Sequence, residues 1–126
     1  MNETYLSFYL RANRIHVFID ALRGIGCPKF ISFMIDETGR SLAMVPYDKK
    51  DFYSHRVPFS VYNGGKGMEV SSIRLCRILA REQNWDPEKS YRVPGDIIPK
   101  QKIALFYLTE AEEIRHDEGN MVWGRK

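Results

Sequence analysis

Residues 14–45 read RIHVFIDALRGIGCPKFISFMIDETGRSLAMV, and this stretch decides the predicted architecture. Residues 14–17 alternate polar and apolar side chains, as a half-buried strand does. Residues 18–25 place apolar side chains at helical spacing, and Gly26 with Pro28 favours an end to that helix. Residues 30–35 and 41–45 then flank a turn that contains glycine, which is typical of a β-hairpin. The predicted order is strand, helix, strand, strand.

Residues 68–108 repeat this order. MEV predicts a short strand, and Ser71 or Ser72 is a suitable N-cap for a helix from Ile73 to Gln83. Residues 91–93 and 103–108 predict a final pair of strands. The sequence therefore predicts a single α+β domain, 1–126, in which two βαββ units, 14–46 and 68–108, form a small β-barrel or layered sheet with two main helices. The polar tail, 116–126, is expected to be frayed.

Three segments outside the repeat complete this prediction. Residues 5–10 are rich in β-forming side chains and predict a strand. Residues 57–62 (VPFSVY) alternate, and Pro58 favours placing them at a sheet edge. Residues 109–112 (TEAE) match a capping box, which predicts a short C-terminal helix.

The composition favours a globular protein and excludes few functions. The chain has 126 residues with a net charge of +3, and residues 1–108 carry 16 basic and 11 acidic side chains. This excess permits nucleic-acid binding, although dedicated binders usually concentrate more charge on one face. No signal peptide and no apolar stretch long enough to span a bilayer is recognisable. We expect a cytoplasmic protein with no membrane association.

Catalytic and metal-binding patterns are weak in this sequence. Cys27 and Cys76 lie far apart, and the three histidines lack ligand spacing, so no metal or cofactor is predicted. Cys27 follows a helix C-terminus, where the dipole disfavours a thiolate. No catalytic base or nucleophile accompanies Lys66, Arg74 and Arg77, the residues that would surround an anionic substrate if the chain were a small enzyme. We therefore expect a non-enzymatic protein.

The run from Asn63 to Gly67 (NGGKG) resembles part of a phosphate loop. A P-loop requires Gly-x-x-x-x-Gly-Lys-Ser/Thr directly before a helix, and here Met68, Glu69 and Val70 intervene. A hairpin turn is the favoured interpretation. A backbone nest for an anion is the alternative.

Residues 11–46 resemble the AbrB/MraZ-like swapped-hairpin module of bacterial transcription regulators. The resemblance rests on Arg14-Ile15-His16-Val17, on Leu22-Arg23-Gly24-Ile25-Gly26 and on a hairpin that ends at Val45-Pro46. Members of the MraZ-like family carry two such modules in tandem, which would fit the second βαββ pass. The sequence departs from the family pattern because Phe18 and Ile19 stand where a proline is usual, and Cys27-Pro28-Lys29 replaces Gly-Asp.

The resemblance implies DNA binding by a homodimer. Arg14 and Arg23 match the basic positions of the family motif, and Arg11 and Lys29 flank them. A guanidinium can contact phosphate or guanine through two parallel hydrogen bonds. The leading hypothesis is a bacterial regulatory protein that contacts duplex DNA through Arg11, Arg14, Arg23 and Lys29. Each of these residues would otherwise be an ordinary solvated side chain.

Two further hypotheses stay open. An unpaired edge strand over residues 57–62 would make the chain a protein-interaction module, because an exposed edge is a template for another strand. Aromatic side chains in the predicted strands would stack bases or pack in the core. These aromatic residues are Phe8, Tyr9, Phe30, Phe33, Tyr62, Tyr91, Phe106 and Tyr107.

Overall fold

The structure, a computed structural model, describes residues 3–115. The strands are β1 (Glu3–Tyr9), β2 (Arg14–Phe18), β3 (Phe30–Ile35), β4 (Ser41–Tyr47), β5 (His55–Arg56), β6 (Gly67–Ser71), β7 (Ser90–Ile98), β8 (Ile103–Tyr107) and β9 (Glu112–Ile114). The helices are α1 (Ile19–Gly24), α2 (Phe59–Tyr62) and α3 (Ile73–Gln83), and short 3-10 turns cover Leu10–Ala12 and Leu108–Glu110. None of these helices is long and apolar enough to cross a membrane.

The predicted α+β class with two main helices is wrong. The described chain is dominated by antiparallel strands, and its three helices have 11, 6 and 4 residues. The helical periodicities in the sequence were real but short, whereas strand pairing continues through two prolines. Pro46 lies inside β4 and Pro94 inside β7.

The strands form a nearly closed barrel. Their order is β5-β3-β4-β8-β7-β1-β2-β6, and every neighbouring pair is antiparallel. β5 and β6 stand at the two ends of this order, and residues next to them line one shared cavity. We call this gap between β5 and β6 the seam. β9 pairs with β7 beyond the end of β8.

The strand order has an internal two-fold pattern. If the two ends of the strand order are joined, each strand of the first half has an equivalent in the second half. The circular order stays the same when β1, β2, β3 and β4 are exchanged with β5, β6, β7 and β8 respectively. α1 follows β2, and α3 follows β6, so the helices exchange in the same way. Under this exchange, the paired strands β1 and β2 correspond to β5 and β6. β5 has only two residues and does not pair with β6, so the seam lies at this position. The duplication of 14–46 and 68–108 in sequence stays a prediction.

Alternation along the strands builds the core inside the barrel. Successive side chains of a strand point to opposite faces, so every second residue faces inward. The buried interior residues of the strands include Leu6, Phe8, Ile15, Val17, Ile31, Leu42, Met44, Val70, Val93, Ala104 and Phe106. Phe8 and Phe106 therefore pack in the core and are closed to a base.

The two longer helices cover opposite ends of the barrel. α1 contacts β1, β2, β6, β7 and β8 and buries Ala21 and Leu22. Hydrogen bonds attach both ends of α3 to the barrel. At its start, the Ser72 amide donates to the Asn13 carbonyl at 3.0 Å, and at its end the Gln83 side-chain amide donates to the Gly39 carbonyl at 2.6 Å. The strand registers place four residues at the same end of the barrel as α1, and we call this end the α1 end. These residues are Phe18, Phe30, Arg56 and Gly67. Tyr9, Arg14 and Ser71 lie with α3, which defines the α3 end.

Residues 57–62 do not form an edge strand, so this prediction is wrong. Val57 and Val61 are both buried, and their spacing of four residues is that of one helical face. Pro58 has a φ of −61° directly before α2, a position that suits its ring. With no extended backbone there, the hypothesis of strand addition at residues 57–62 fails.

The predicted C-terminal helix is also wrong. Leu108–Glu110 forms one 3-10 turn, and the chain then continues as β9. Leu108 is buried, and its amide bonds the Arg40 carbonyl, so tertiary packing overrides the capping-box pattern. The frayed tail predicted for 116–126 lies outside the described residues.

Gly24 allows α1 to approach the barrel closely. A Cβ atom at Gly24 would lie 2.5 Å from Cγ2 and 2.7 Å from Cδ1 of Ile97 in β7. Such distances are well inside van der Waals contact, so a side chain at position 24 requires the helix or Ile97 to shift. This contact explains a glycine within a helix, where alanine would otherwise be favoured by about 1 kcal/mol.

We expect Gly24→Ala to lower the free energy of unfolding by about 1 kcal/mol or more, because overpacking costs roughly 1–3 kcal/mol and outweighs the helix propensity gained. In an Ile97→Ala background the same substitution should become neutral or stabilising, since the clashing atoms are gone. Urea unfolding of the four proteins of this double-mutant cycle measures the coupling. Equal effects of Gly24→Ala in both backgrounds would contradict the contact.

Candidate functional site

The four residues predicted to contact DNA are divided between the two ends of the barrel. Arg11 and Arg14 lie at the α3 end, where they pair with Glu88 and Glu69 at 3.4 and 3.0 Å. Arg23 lies in the last turn of α1, and Lys29 precedes β3, so both lie at the α1 end. The structure therefore brings Arg23 and Lys29 to one region and separates them from Arg11 and Arg14.

A sharp change of direction after α1 starts the site. Gly26 and Cys27 adopt consecutive left-handed conformations with φ values of 101° and 54°. The Gly26 and Cys27 amides donate to the carbonyls of Arg23 and Leu22, which is the Schellman arrangement at a helix C-terminus. The chain turns away from α1 and presents Cys27 and Lys29 to solvent.

Three hydrogen bonds attach this turn to the segment that contains α2. The Tyr62 hydroxyl donates to the Pro28 carbonyl at 2.6 Å, and the Val57 amide donates to the Lys29 carbonyl at 2.8 Å. Arg23 Nη2 donates to the Tyr62 carbonyl at 3.3 Å. Two segments about thirty residues apart are thereby held side by side.

A cavity of about 640 Å³ lies between these segments. Its volume is in the range of ligand-binding clefts. Three of its lining residues are cations, three are aromatic, and none is a carboxylate. The lining residues are Cys27, Lys29, Phe30, Lys50, Arg56, Val57, Phe59 and Tyr62.

In the described part of the chain, the positive charges at this cavity are not compensated by ion pairs. Within residues 3–115, Arg23, Lys29, Lys50 and Arg56 form no ion pair, and the three ion pairs of that range lie at the α3 end. Asp51 follows Lys50, but its carboxylate accepts hydrogen bonds from the Tyr47 hydroxyl and the Tyr53 amide. Cations gathered around a low-dielectric cavity favour an anionic ligand.

Aromatic side chains form the apolar part of the cavity. Phe30 and Tyr62 are half-buried, whereas the Phe59 side chain is 80% exposed. Phe59 is the first residue of α2, and Pro58 with buried Val61 fixes that helix so that Phe59 faces outward. Burial raises the pKa of the Tyr62 phenol to about 12, with a further contribution from the Cys27 thiol, so this residue stays neutral at physiological pH.

A second cavity, of about 250 Å³, occupies the seam. The Arg74 guanidinium lies 5.6 Å from the Phe52 ring centre and 5.7 Å from that of Tyr53, within cation–π range. Burial lowers the pKa of His55 in its wall. Arg74 is thus engaged by two rings, which distinguishes the seam from the cationic cavity at the α1 end.

The structure separates the residues that would surround an anionic substrate. Lys66 precedes β6 at the α1 end, whereas Arg74 and Arg77 lie in α3 beyond the other end of that strand. The run from Asn63 to Gly67 connects the helix α2 to the strand β6. It does not join two paired strands, so it is not a hairpin turn. In the described part of the chain, no group of three or more His, Cys, Asp or Glu residues could hold a metal ion.

Comparison with known proteins adds no relative. No family model matches the chain, and no curated protein or solved structure gives a significant match. The resemblance of residues 11–46 to the swapped-hairpin module, and the homodimer that it implies, stay predictions.

Sequence reasoning missed Lys50, Arg56 and Phe59. A signal for Phe59 was present, because Pro58 before two valines four residues apart indicates a helix start that leaves Phe59 on the outer face. Lys50 and Arg56 carry no local pattern. They join Lys29 because β5 pairs with β3, a contact between residues far apart in sequence.

The two cysteines should differ in reactivity. Burial raises the pKa of the Cys76 thiol to about 11, whereas Cys27 is exposed at the cavity. We expect Ellman's reagent to modify one thiol in the folded protein and two after denaturation, because only a thiolate in contact with solvent attacks it. Cys27→Ser should leave no reactive thiol in the folded state. Rapid modification of Cys76 would contradict the packing.

Tyr62 should make stability depend on pH in the alkaline range. An unfolded tyrosine ionises near pH 10, and the folded-state pKa is about 12. The stability due to the neutral phenol is complete below about pH 10 and is lost as the pH rises towards 12. Tyr62→Phe should lose about 1 kcal/mol at neutral pH with its hydrogen bond. Urea unfolding across this range should show a shallower decline for the variant, and identical slopes would contradict the assignment.

Proposed function

We propose that the chain is a non-enzymatic nucleic-acid-binding protein whose binding surface is the α1 end. The observation that carries this proposal is the cluster of cations around one cavity that has no carboxylate in its lining. Arg23, Lys29, Lys50 and Arg56 gather without ion pairs within residues 3–115, whereas Arg11 and Arg14 at the α3 end are each paired with a glutamate. A phosphate backbone is the abundant polyanion that such a surface would bind through released counterions.

This proposal revises the set of contact residues. Arg23 and Lys29 keep the role that the sequence predicted, and Lys50 and Arg56 join them through the fold. Arg11 and Arg14 are expected to contribute little, because each is held by a glutamate at the opposite end of the barrel. Exposed pairs of this kind contribute about 0–1 kcal/mol to stability, so these arginines can be replaced without unfolding the protein.

A salt titration with matched charge variants tests this proposal. We expect Lys29→Ala/Arg56→Ala to weaken binding of fluorescein-labelled DNA roughly 10-fold or more at low salt, because two phosphate contacts are lost. The slope of log affinity against log salt should fall by about 1 for each contact removed. Fluorescence anisotropy with both a single strand and a duplex measures these quantities.

Arg11→Ala/Arg14→Ala is the matched control. It removes the same two positive charges from the chain but from the α3 end, so its affinity and salt slope should stay close to those of the unaltered protein. Equal losses in the two double variants would show that net charge alone drives binding. No binding of either DNA at low salt would overturn the proposed function.

A further inference from the structure

The cavity at the α1 end combines positively charged side chains with aromatic rings. Lys29, Lys50 and Arg56 supply positive charge, and Phe30, Phe59 and Tyr62 supply ring faces. Proteins that bind single-stranded nucleic acids use this combination, with a basic groove along the backbone and aromatic side chains on which bases stack. The cavity therefore has cations that can contact the phosphate of a nucleotide and aromatic rings that can contact its base.

Phe59 is the group best placed to stack. It is 80% exposed, and its backbone is held by Pro58 on one side and by buried Val61 on the other. A rigidly mounted aromatic ring loses little conformational entropy when it is covered. Tyr62 plays a different part, since its hydroxyl is already bonded to the Pro28 carbonyl and its ring forms a fixed wall.

The shape of the site favours a single strand over a duplex. In a duplex the bases are stacked and paired, so a ring on the protein surface has no base face to contact. The cavity is concave, and two of the four arginine and lysine residues predicted to contact a duplex, Arg11 and Arg14, lie at the opposite end of the barrel. A flexible strand can place one unstacked base inside it while its phosphates follow the cationic rim.

Resting on the nucleic-acid binding proposed above, we infer that the α1-end cavity binds single-stranded nucleic acid. One unstacked base lies against Phe59, and the flanking phosphates contact Lys29, Lys50 and Arg56. Cys27, at the cavity wall, is covered when the strand is bound.

The test uses the full chain and a fluorescein-labelled oligothymidylate of about 12 nucleotides, within the span of single-strand sites. Phe59→Ala should weaken its binding roughly 10-fold or more, the range measured for loss of one stacked base. The salt slope should not change, because the phosphate contacts remain. Phe59→Tyr should restore the affinity, since it returns a ring of the same size.

Phe52→Ala is the matched control. Phe52 is 77% exposed, close to the 80% of Phe59, but it lies at the seam and outside the cationic cavity. Its truncation should leave the affinity unchanged. A duplex of the same length should bind more weakly than the single strand at equal salt. The oligothymidylate should also slow modification of Cys27 by iodoacetamide, an uncharged reagent.

The outcomes separate this inference from the proposed function. If Phe59→Ala binds as the unaltered protein does, or if the duplex binds as tightly as the single strand, single-strand recognition is overturned. The proposed function then still stands on the loss caused by Lys29→Ala/Arg56→Ala. If Phe52→Ala and Phe59→Ala cause equal losses, the effect is a general property of exposed rings, and the inference is likewise overturned. If no oligonucleotide binds at low salt, both proposals fail.

Discussion

The packing of α1 against the end of the barrel is the contact on which the functional region depends. Gly24 lets the helix backbone approach Ile97 of β7, and Ala21 and Leu22 are buried beneath it. This seals one end of a barrel whose interior is filled by apolar side chains, so water is excluded from the core. The same contact fixes where the helix ends, and therefore where Cys27 and Lys29 emerge.

The two ends of the barrel share an arrangement of strands but differ in their chemistry. At the α3 end, a longer helix covers the barrel, and Trp85 stacks on Tyr91 with ring centres 4.9 Å apart. Arg11 and Arg14 there are paired with Glu88 and Glu69. At the α1 end the covering helix has six residues, and α2 with its adjoining loops completes the cover. These loops leave a cavity lined by Lys29, Lys50 and Arg56, which form no ion pair within residues 3–115. The approximately two-fold framework therefore carries this cationic cavity at one end only.

The local elements could be predicted where the pattern was self-contained. The hairpin of β3 and β4 and the helix from Ile73 to Gln83 match their sequence signals, because a turn and a capping serine act over a few residues. Prediction failed where burial decided. Val57 and Val61 read as alternate strand residues until packing placed both on one side of a short helix, and buried Leu108 replaced the expected terminal helix by a single turn.

The candidate site was also predictable only in part from the sequence. Arg23 and Lys29 could be selected from the sequence, but nothing local distinguished them from Arg11 and Arg14. The charge of a side chain does not indicate where in the fold it lies. The positions of these residues were set by the strand registers and by the hydrogen bonds of Tyr62 and Val57.

The sequence by itself determined the hairpin of β3 and β4 and the longest helix, because backbone preferences and apolar spacing act locally. It also determined that two segments share one order of elements. Only the tertiary structure decided that these strands join into one nearly closed barrel and that α1 and α3 cover its opposite ends. It also brought Lys50, Arg56 and Phe59 beside Lys29. Those outcomes depend on contacts between residues far apart in the chain, which form when burial of apolar surface outweighs the entropy of bringing them together.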